Sequence, residues 1–241
     1  MSLRELLKLI VVRFELPLTQ NLKYDIYTKK IMRRVLRQDS NCIDIGCHKG
    51  EILDEILQMA PSGKHFAFEP LPDLFQLLKV KYSGKNIELF RVALYETKGK
   101  TTYKHVVNAP AYSGIRERNY DFPDPEIDEL TVDTDLLDNL IPGDVPIDFI
   151  KIDVEGAEFP VLRGGEKTII RCKPVIVFEF GIGAADHYGV KPEAVYDFIT
   201  SVCGLSVSTL YGFLKKKAGL SKEKFCSLYL ESREYYFIAY P

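Results

Sequence analysis

The stretch IDFIKIDVEGAE, residues 147–158, decides how this chain is read. Apolar residues of the kind that build a buried strand run straight into Asp153, Glu155 and Glu158, with Gly156 among them. A strand alternates its side chains between two faces. Phe149, Lys151 and Asp153 therefore share one side, and Ile150, Ile152 and Val154 the other. An unpaired charge inside a core is very costly, so Lys151 needs a carboxylate partner such as Asp153 or Glu179. In an open parallel sheet, ligands sit outside the carboxyl ends of the strands. The acids thus mark the mouth of a sheet, not its middle.

Working outward, the same pattern recurs. NCIDI is a short apolar strand carrying Asp44, GCHKG is a tight loop, and EILDEILQM has helical spacing. HFAFE is a strand ending at Glu69, followed by the helix PDLFQLLKVKY. NIELFRVAL reads as a third strand, GAEFPVLRGGEKTII as one helix, and VIVFEF as a strand reaching Glu179. YDIYTKKIMRRVLR precedes them all as an amphipathic helix, KTTYKHVV has strand character, a further helix begins near Pro192, and EYYFIAY closes the chain as a strand. Strands alternating with helices predict an α/β fold with a parallel sheet covered on both faces. No internal repeat or linker divides the chain, so an N-terminal helical segment, 1–38, and one domain, 39–241, are expected.

Totals narrow the function. With 32 Lys+Arg against 34 Asp+Glu, the net charge is −2, which offers no electrostatic footprint for nucleic acid. The cysteines form no C-x-x-C pair, so neither a zinc site nor a disulfide framework is indicated, and a reducing cytoplasm is expected. The apolar run in MSLRELLKLIVVRFELP is too short to span a bilayer. Leu3, Leu6, Leu7, Ile10 and Val11 fall at helical spacing, which suits a helix packing on the body, on a second copy in a homodimer, or on a membrane surface.

Three constellations carry the chemistry. In DIGCHKG, Asp44, Gly46 and Gly50 occupy a strand-to-helix junction. Glycines there let the backbone turn sharply and approach a ligand, and the helix N-terminus favours a negative group. The dinucleotide spacing G-x-G-x-x-G is absent, as is a G-K-[ST] phosphate loop. An acid at the strand end repels phosphate and suits a cation. Glu69, 25 positions after Asp44, can accept both hydroxyls of a ribose. Asp153 joins them at the third strand end. A nucleoside with a cation and no phosphate describes S-adenosylmethionine.

These residues resemble the FkbM family of S-adenosylmethionine-dependent methyltransferases. The likeness rests on CIDIGCHKGE, HFAFEPLPDLFQLLK, IELFRVALYETKG, IDFIKIDVEGAEFPVLRGG and KPVIVFEF, with KIDVEGAE followed by VLRGG the most specific part. It implies a class I, Rossmann-like, mostly parallel seven-stranded sheet with the last strand antiparallel, and methyl transfer to oxygen. By the same resemblance, Asp44, Gly46 and Gly50 line the cofactor's methionine part, Glu69 holds its ribose, and Val92 or Ala93 lies near its adenine; Cys47, Pro70 and Asp153 are further cofactor-binding candidates. Cys47, His48 and Lys49 stand where the family loop commonly has small or amide residues.

Transfer to a hydroxyl requires an acceptor oxygen held behind the methyl group and a proton acceptor, worth about 10²–10⁴-fold. Glu155, His48 and Asp153 are the catalytic candidates, with Glu179 nearby. Glu155 follows the strand end directly, whereas His48 has the ordinary pKa of a base near neutrality. Three carboxylates at one mouth also suit a divalent cation. Lys151 offsets that charge, so no metal is expected. The loop from Asn108 to Asp128, with Tyr112, Ser113, Arg116, Arg118 and Tyr120, is long enough to be a lid or binding loop. It offers surfaces for a small-molecule or glycan hydroxyl acceptor, sugar or anionic. A non-catalytic S-adenosylmethionine-binding scaffold and a nicotinamide-dependent oxidoreductase are the competing readings. Intact acids argue against the first and loop spacing against the second.

Overall fold

The computed structural model describes residues 19–241; the helical spacing of Leu3 to Val11 lies outside them. The elements in chain order are α1 (Gln20–Val35), β1 (Cys42–Ile45), α2 (Glu51–Met59), β2 (His65–Phe68), α3 (Pro72–Lys81), β3 (Ile87–Phe90) and β4 (Ala93–Leu94). They continue with β5 (Gly99–Val106), β6 (Ile127–Asp135), α4 (Leu137–Leu140), β7 (Phe149–Ile152), α5 (Glu158–Gly164) and α6 (Glu166–Cys172). The last are β8 (Val175–Glu179), α7 (Pro192–Asp197), β9 (Ser206–Thr209), α8 (Leu210–Leu214), α9 (Lys222–Leu230) and β10 (Tyr236–Tyr240).

Seven strands form the main sheet in the order β3-β2-β1-β7-β8-β10-β9. β3, β2, β1, β7 and β8 are mutually parallel, and β10 runs antiparallel to both β8 and β9. Asp44 pairs in register with Lys151, and Glu179 with Tyr236. Chain direction changes its spatial order at β1/β7, the place where an open sheet offers a crevice.

The period of two sorts the core. Ile43, Ile45, Phe66, Phe68, Ile150, Ile152 and Phe178 face one layer. Cys42, Ala67, Phe149 and Val177 face the other, with Tyr24, Ile31 and Met32 of α1 and Leu53 and Ile56 of α2. Both faces are covered by helices, so the central strands are mostly apolar, with Asp44 of β1 and Lys151 of β7 as buried exceptions.

Two readings from periodicity change. NIELFRVAL does not stay in one strand: β3 ends at Phe90, and Ala93–Leu94 enters a separate three-stranded sheet, β4-β6-β5. GAEFPVLRGGEKTII is two helices, broken at Gly165. A side chain at Gly164 would place Cβ 2.3 Å from the Tyr95 carbonyl oxygen, so close packing, not helical period, governs this turn.

Candidate active site

The loop after β1 is shaped by what lies beside it. Gly46 has φ 75°, and a Cβ there would sit 1.9 Å from the Asp153 carbonyl oxygen. Only glycine lets the ends of β1 and β7 approach so closely. Gly46 and Cys47 both donate their backbone N–H to the Phe68 carbonyl, at 3.0 and 3.1 Å. Gly50 also has positive φ, 81°, but its neighbour is Tyr82, whose hydroxyl donates to the Gly50 carbonyl and to Asp54, each at 2.8 Å.

Asp44 is 2 % exposed, and its Oδ2 has no hydrogen-bond partner among the described residues. Burial pushes its carboxyl up to about 7, against the pull of Lys151. Glu69 is likewise pushed up to about 7, first by burial. Its two oxygens accept the backbone N–H groups of His48, at 2.9 Å, and Leu71, at 3.0 Å. His48 itself has φ 49° and lies 3.5 Å from Glu51 through Nδ1. A buried carboxylate with one unpartnered oxygen beside a glycine cradle fits a cation, and a fixed carboxylate at the next strand end fits a diol. These residues suit S-adenosylmethionine.

The opposite wall is a side-chain network. Lys151, 6 % exposed, donates to Asp153 Oδ2 at 2.7 Å, and the Tyr236 hydroxyl donates to the same oxygen at 2.5 Å. Burial pushes Asp153 up, but Lys151 and hydrogen bonds from Glu179, Lys151 and Tyr236 outweigh it and hold the group at about 2. Glu179 is driven well above the carboxylate range by burial and by the charge of Asp153, so the two carboxyls titrate as a pair. Glu155 has φ 58° and forms an ion pair with Arg118. Glu158 lies apart from this set: its Oε1 accepts the backbone N–H groups of Val154 and Gly156, at 3.0 and 3.1 Å. Oxygen atoms of Asp153, Glu155 and Glu179 lie within 4.8 Å of one another, with Lys151 and Arg118 on two of the three.

Three cavities meet here. The first is narrow, about 50 Å³, and is lined by Gly46, Glu69, Pro70, Val92, Ala93 and Tyr103, among others. The second, about 440 Å³, lies between Asp25 of α1, Tyr112 and Arg118 of the long loop, and Tyr235 and Tyr236. The third, about 690 Å³, holds Asp44, Cys47, His48, Lys151 and Asp25. Asp153 and Glu155 line all three. The catalytic candidates thus converge, although His48 borders only the first and third. Gly50 lines none of them, and its glycine answers to Tyr82.

The long loop is folded back onto the body. Arg116 donates to the His187 carbonyl at 2.6 Å, Asn119 N–H to the Gly183 carbonyl at 2.7 Å, and the Tyr103 hydroxyl to the Ser113 carbonyl at 2.9 Å. Tyr112, Tyr120 and Phe122 pack together, and Arg118 lies over the Tyr112 ring at 5.2 Å. Asp25 and Tyr236 escaped the sequence reading. Asp25 shares a helical stripe with Leu22, Ile26 and Lys29, a polar residue among cavity-lining neighbours. Tyr236 reaches Asp153 only because β10 inserts beside β8, which spacing along the chain does not reveal.

The strand order and the switch point define the class I, Rossmann-like methyltransferase fold. The chain belongs to the FkbM methyltransferase family, whose domain model matches residues 44–204. It is 26 % identical over 159 residues to the 2-O-methyltransferase NoeI of Sinorhizobium fredii, spanning 60 % of this chain and 65 % of that relative. The solved structure of the methyltransferase FkbM from Methylobacillus flagellatus shares the fold, with a TM-score of 0.53 and 15 % identity, over 85 % of this chain and 44 % of that one. Among the described residues, no helix is long and apolar enough to cross a membrane.

Proposed function

We propose that the enzyme methylates a hydroxyl oxygen of an uncharged glycan or other polyhydroxylated small molecule. One observation carries this reading: the cavity at Glu69 and the cleft at Tyr112 and Tyr236 meet at Asp153 and Glu155. S-adenosylmethionine supplies an electrophilic methyl group when bound. Gly46, Cys47, Asp44 and Asp153 would hold its methionine part, Glu69 and Pro70 the ribose, and Val92 and Ala93 the adenine. The narrow first cavity would open by displacement of Pro110, Ala111 and Ser113, which line it, making the long loop a lid. Residues 39–241 form the catalytic domain in this reading, with α1 closing the site from the side.

The acidic lining of the cleft supports a neutral over an anionic acceptor. Asp25, Asp121, Asp153, Glu155, Glu179 and Glu234 line it, against the single guanidinium of Arg118. Carboxylates and tyrosine rings offer hydroxyl acceptors and stacking surfaces for a neutral sugar. Asp153, held near 2, is too weak a base and orients neighbours instead. Glu155 takes the hydroxyl proton, with Arg118 fixing its direction. No metal is needed, because Lys151 and Arg118 already balance the carboxylates. The same relationship to NoeI, a 2-O-methyltransferase, supports oxygen as the acceptor atom.

The test is a transfer assay with radiolabelled S-adenosylmethionine over neutral glycans and their phosphorylated counterparts. Label should enter neutral glycans, and chelator should leave the rate unchanged. Exclusive labelling of phosphorylated acceptors, or of an amine, would overturn the assignment.

A further inference from the structure

The sequence from Leu205 to Lys222 contains no acidic residue and holds the run Lys215-Lys216-Lys217. All three lysines are exposed. They are not a frayed tail. The backbone N–H groups of Lys215, Lys216 and Lys217 donate to the carbonyls of Tyr211, Phe213 and Gly212, at 3.0, 3.0 and 2.9 Å. Lys216 takes φ 54°, a conformation that side chains rarely adopt. An ordered turn therefore gathers three like charges against their mutual repulsion. The C-terminal end of α8 favours cations, but α8 has five residues and cannot offset three.

Aromatic rings are interleaved with these cations. Tyr211 is 42 % exposed, with the ammonium groups of Lys215 and Lys217 at 5.7 and 5.5 Å from its ring centre. Tyr27 of α1 lies 5.9 Å from the same ring. Arg34 of α1 stacks on Phe213 at 5.1 Å and donates to its carbonyl at 3.1 Å. This face of α1 and α8 is separate from Asp44, Glu69 and Asp153, and methyl transfer makes no use of it.

We propose that the α1–α8 face docks the enzyme on an anionic lipid surface. Lysines near such a surface each gain attraction that falls off within a Debye length, and tyrosines favour the interfacial layer, where one end is apolar and the other wet. The stretch that leads into α1, LRELLKLIVVRF, residues 3–14, combines eight apolar residues with three basic ones, a composition suited to the same surface. Nucleic acid fits less well, because the chain as a whole carries −2 and the basic cluster is confined to one turn.

The experiment is flotation of the full chain with vesicles of phosphatidylcholine alone or mixed with phosphatidylglycerol, at low and high salt. Wild type should float with the anionic vesicles, and salt should weaken this. The combined variant Lys215→Glu, Lys216→Glu, Lys217→Glu should lose at least about tenfold in vesicle affinity, and Tyr211→Ser less, while S-adenosylmethionine affinity stays unchanged in both. If the triple variant melts early, the milder pair Lys215→Gln, Lys217→Gln repeats the test. Absence of wild-type flotation overturns the proposal, as does undiminished flotation of every lysine variant. Binding of an RNA oligonucleotide that the lysine variants abolish, without vesicle binding, overturns it in favour of nucleic acid.

Discussion

The two walls of the site are built by different means. The β1–β2 wall consists of strand-end turns, where backbone groups do most of the holding: the Phe68 carbonyl fixes Gly46 and Cys47, and two N–H groups fix Glu69. The β7–β8 wall consists of side chains from separate parts of the chain, with Lys151, Asp153, Glu179 and Tyr236 in one network and the Arg118–Glu155 ion pair beside it. A backbone-built wall is insensitive to most side-chain changes but intolerant of a lost glycine. A network wall tolerates no lost partner, because each removal leaves a buried charge uncompensated.

The sharpest attempt to break this contrast is Gly46→Ala. Its methyl group would meet the Asp153 carbonyl at 1.9 Å with φ at 75°, so both walls would have to separate. S-adenosylmethionine affinity should fall by about a hundredfold or more, ~3 kcal/mol, as read by calorimetry alongside a melting curve. Near-normal affinity would show that the walls are not in the close contact described.

Next in size are changes confined to the network wall. Arg118→Ala should lower turnover at least about tenfold by releasing Glu155, with cofactor affinity nearly unchanged. Glu155→Gln should do the same. A selective loss in His48→Ala, with Glu155→Gln active, would move the base to the other wall.

A smaller effect should appear with pH. Asp44 and Glu69 ionise near 7 in the free enzyme, and a cationic ligand favours ionised Asp44. Affinity should therefore rise as pH climbs toward 7, by about three- to tenfold from pH 6 to 8, and level off above. Calorimetry on Asp44→Asn should show weaker binding with most of the slope gone. A persisting slope would assign it to Glu69.

The smallest expected change is in Tyr82→Phe, which removes two hydrogen bonds beside Gly50. Stability should drop by about 1–2 kcal/mol, measured by denaturant titration, with cofactor affinity altered less than about threefold. A large loss of affinity would make Gly50 part of the binding wall after all.

The backbone-built wall was legible in sequence for a physical reason. Asp44, Gly46 and Glu69 sit next to the strands and turns that position them, so short-range spacing carries the information. The pairing of Lys151 with Asp153 was equally readable, two residues apart on one strand face. Tyr236 and Asp25 were not, because their partners are set by strand insertion and helix docking. The small sheet β4-β6-β5 was hidden too: Ala93–Leu94 continues an apolar run without interruption, and only tertiary pairing moves it to another sheet.

The place of β10 has a consequence for how the molecule is assembled. The final strand does not extend the sheet at its margin; it joins β8 to β9, which do not touch each other. During synthesis the five parallel strands can pair as they emerge, but β9 has no berth until residues 236–240 are available. Tyr236 arrives with that same strand, and the Tyr24 hydroxyl meets Glu234 just ahead of it at 2.6 Å. The last of the seven strands to dock thus brings Tyr236 to an Asp153 that Lys151 already holds from within the earlier strands, which makes its arrival a finishing step for that wall of the site.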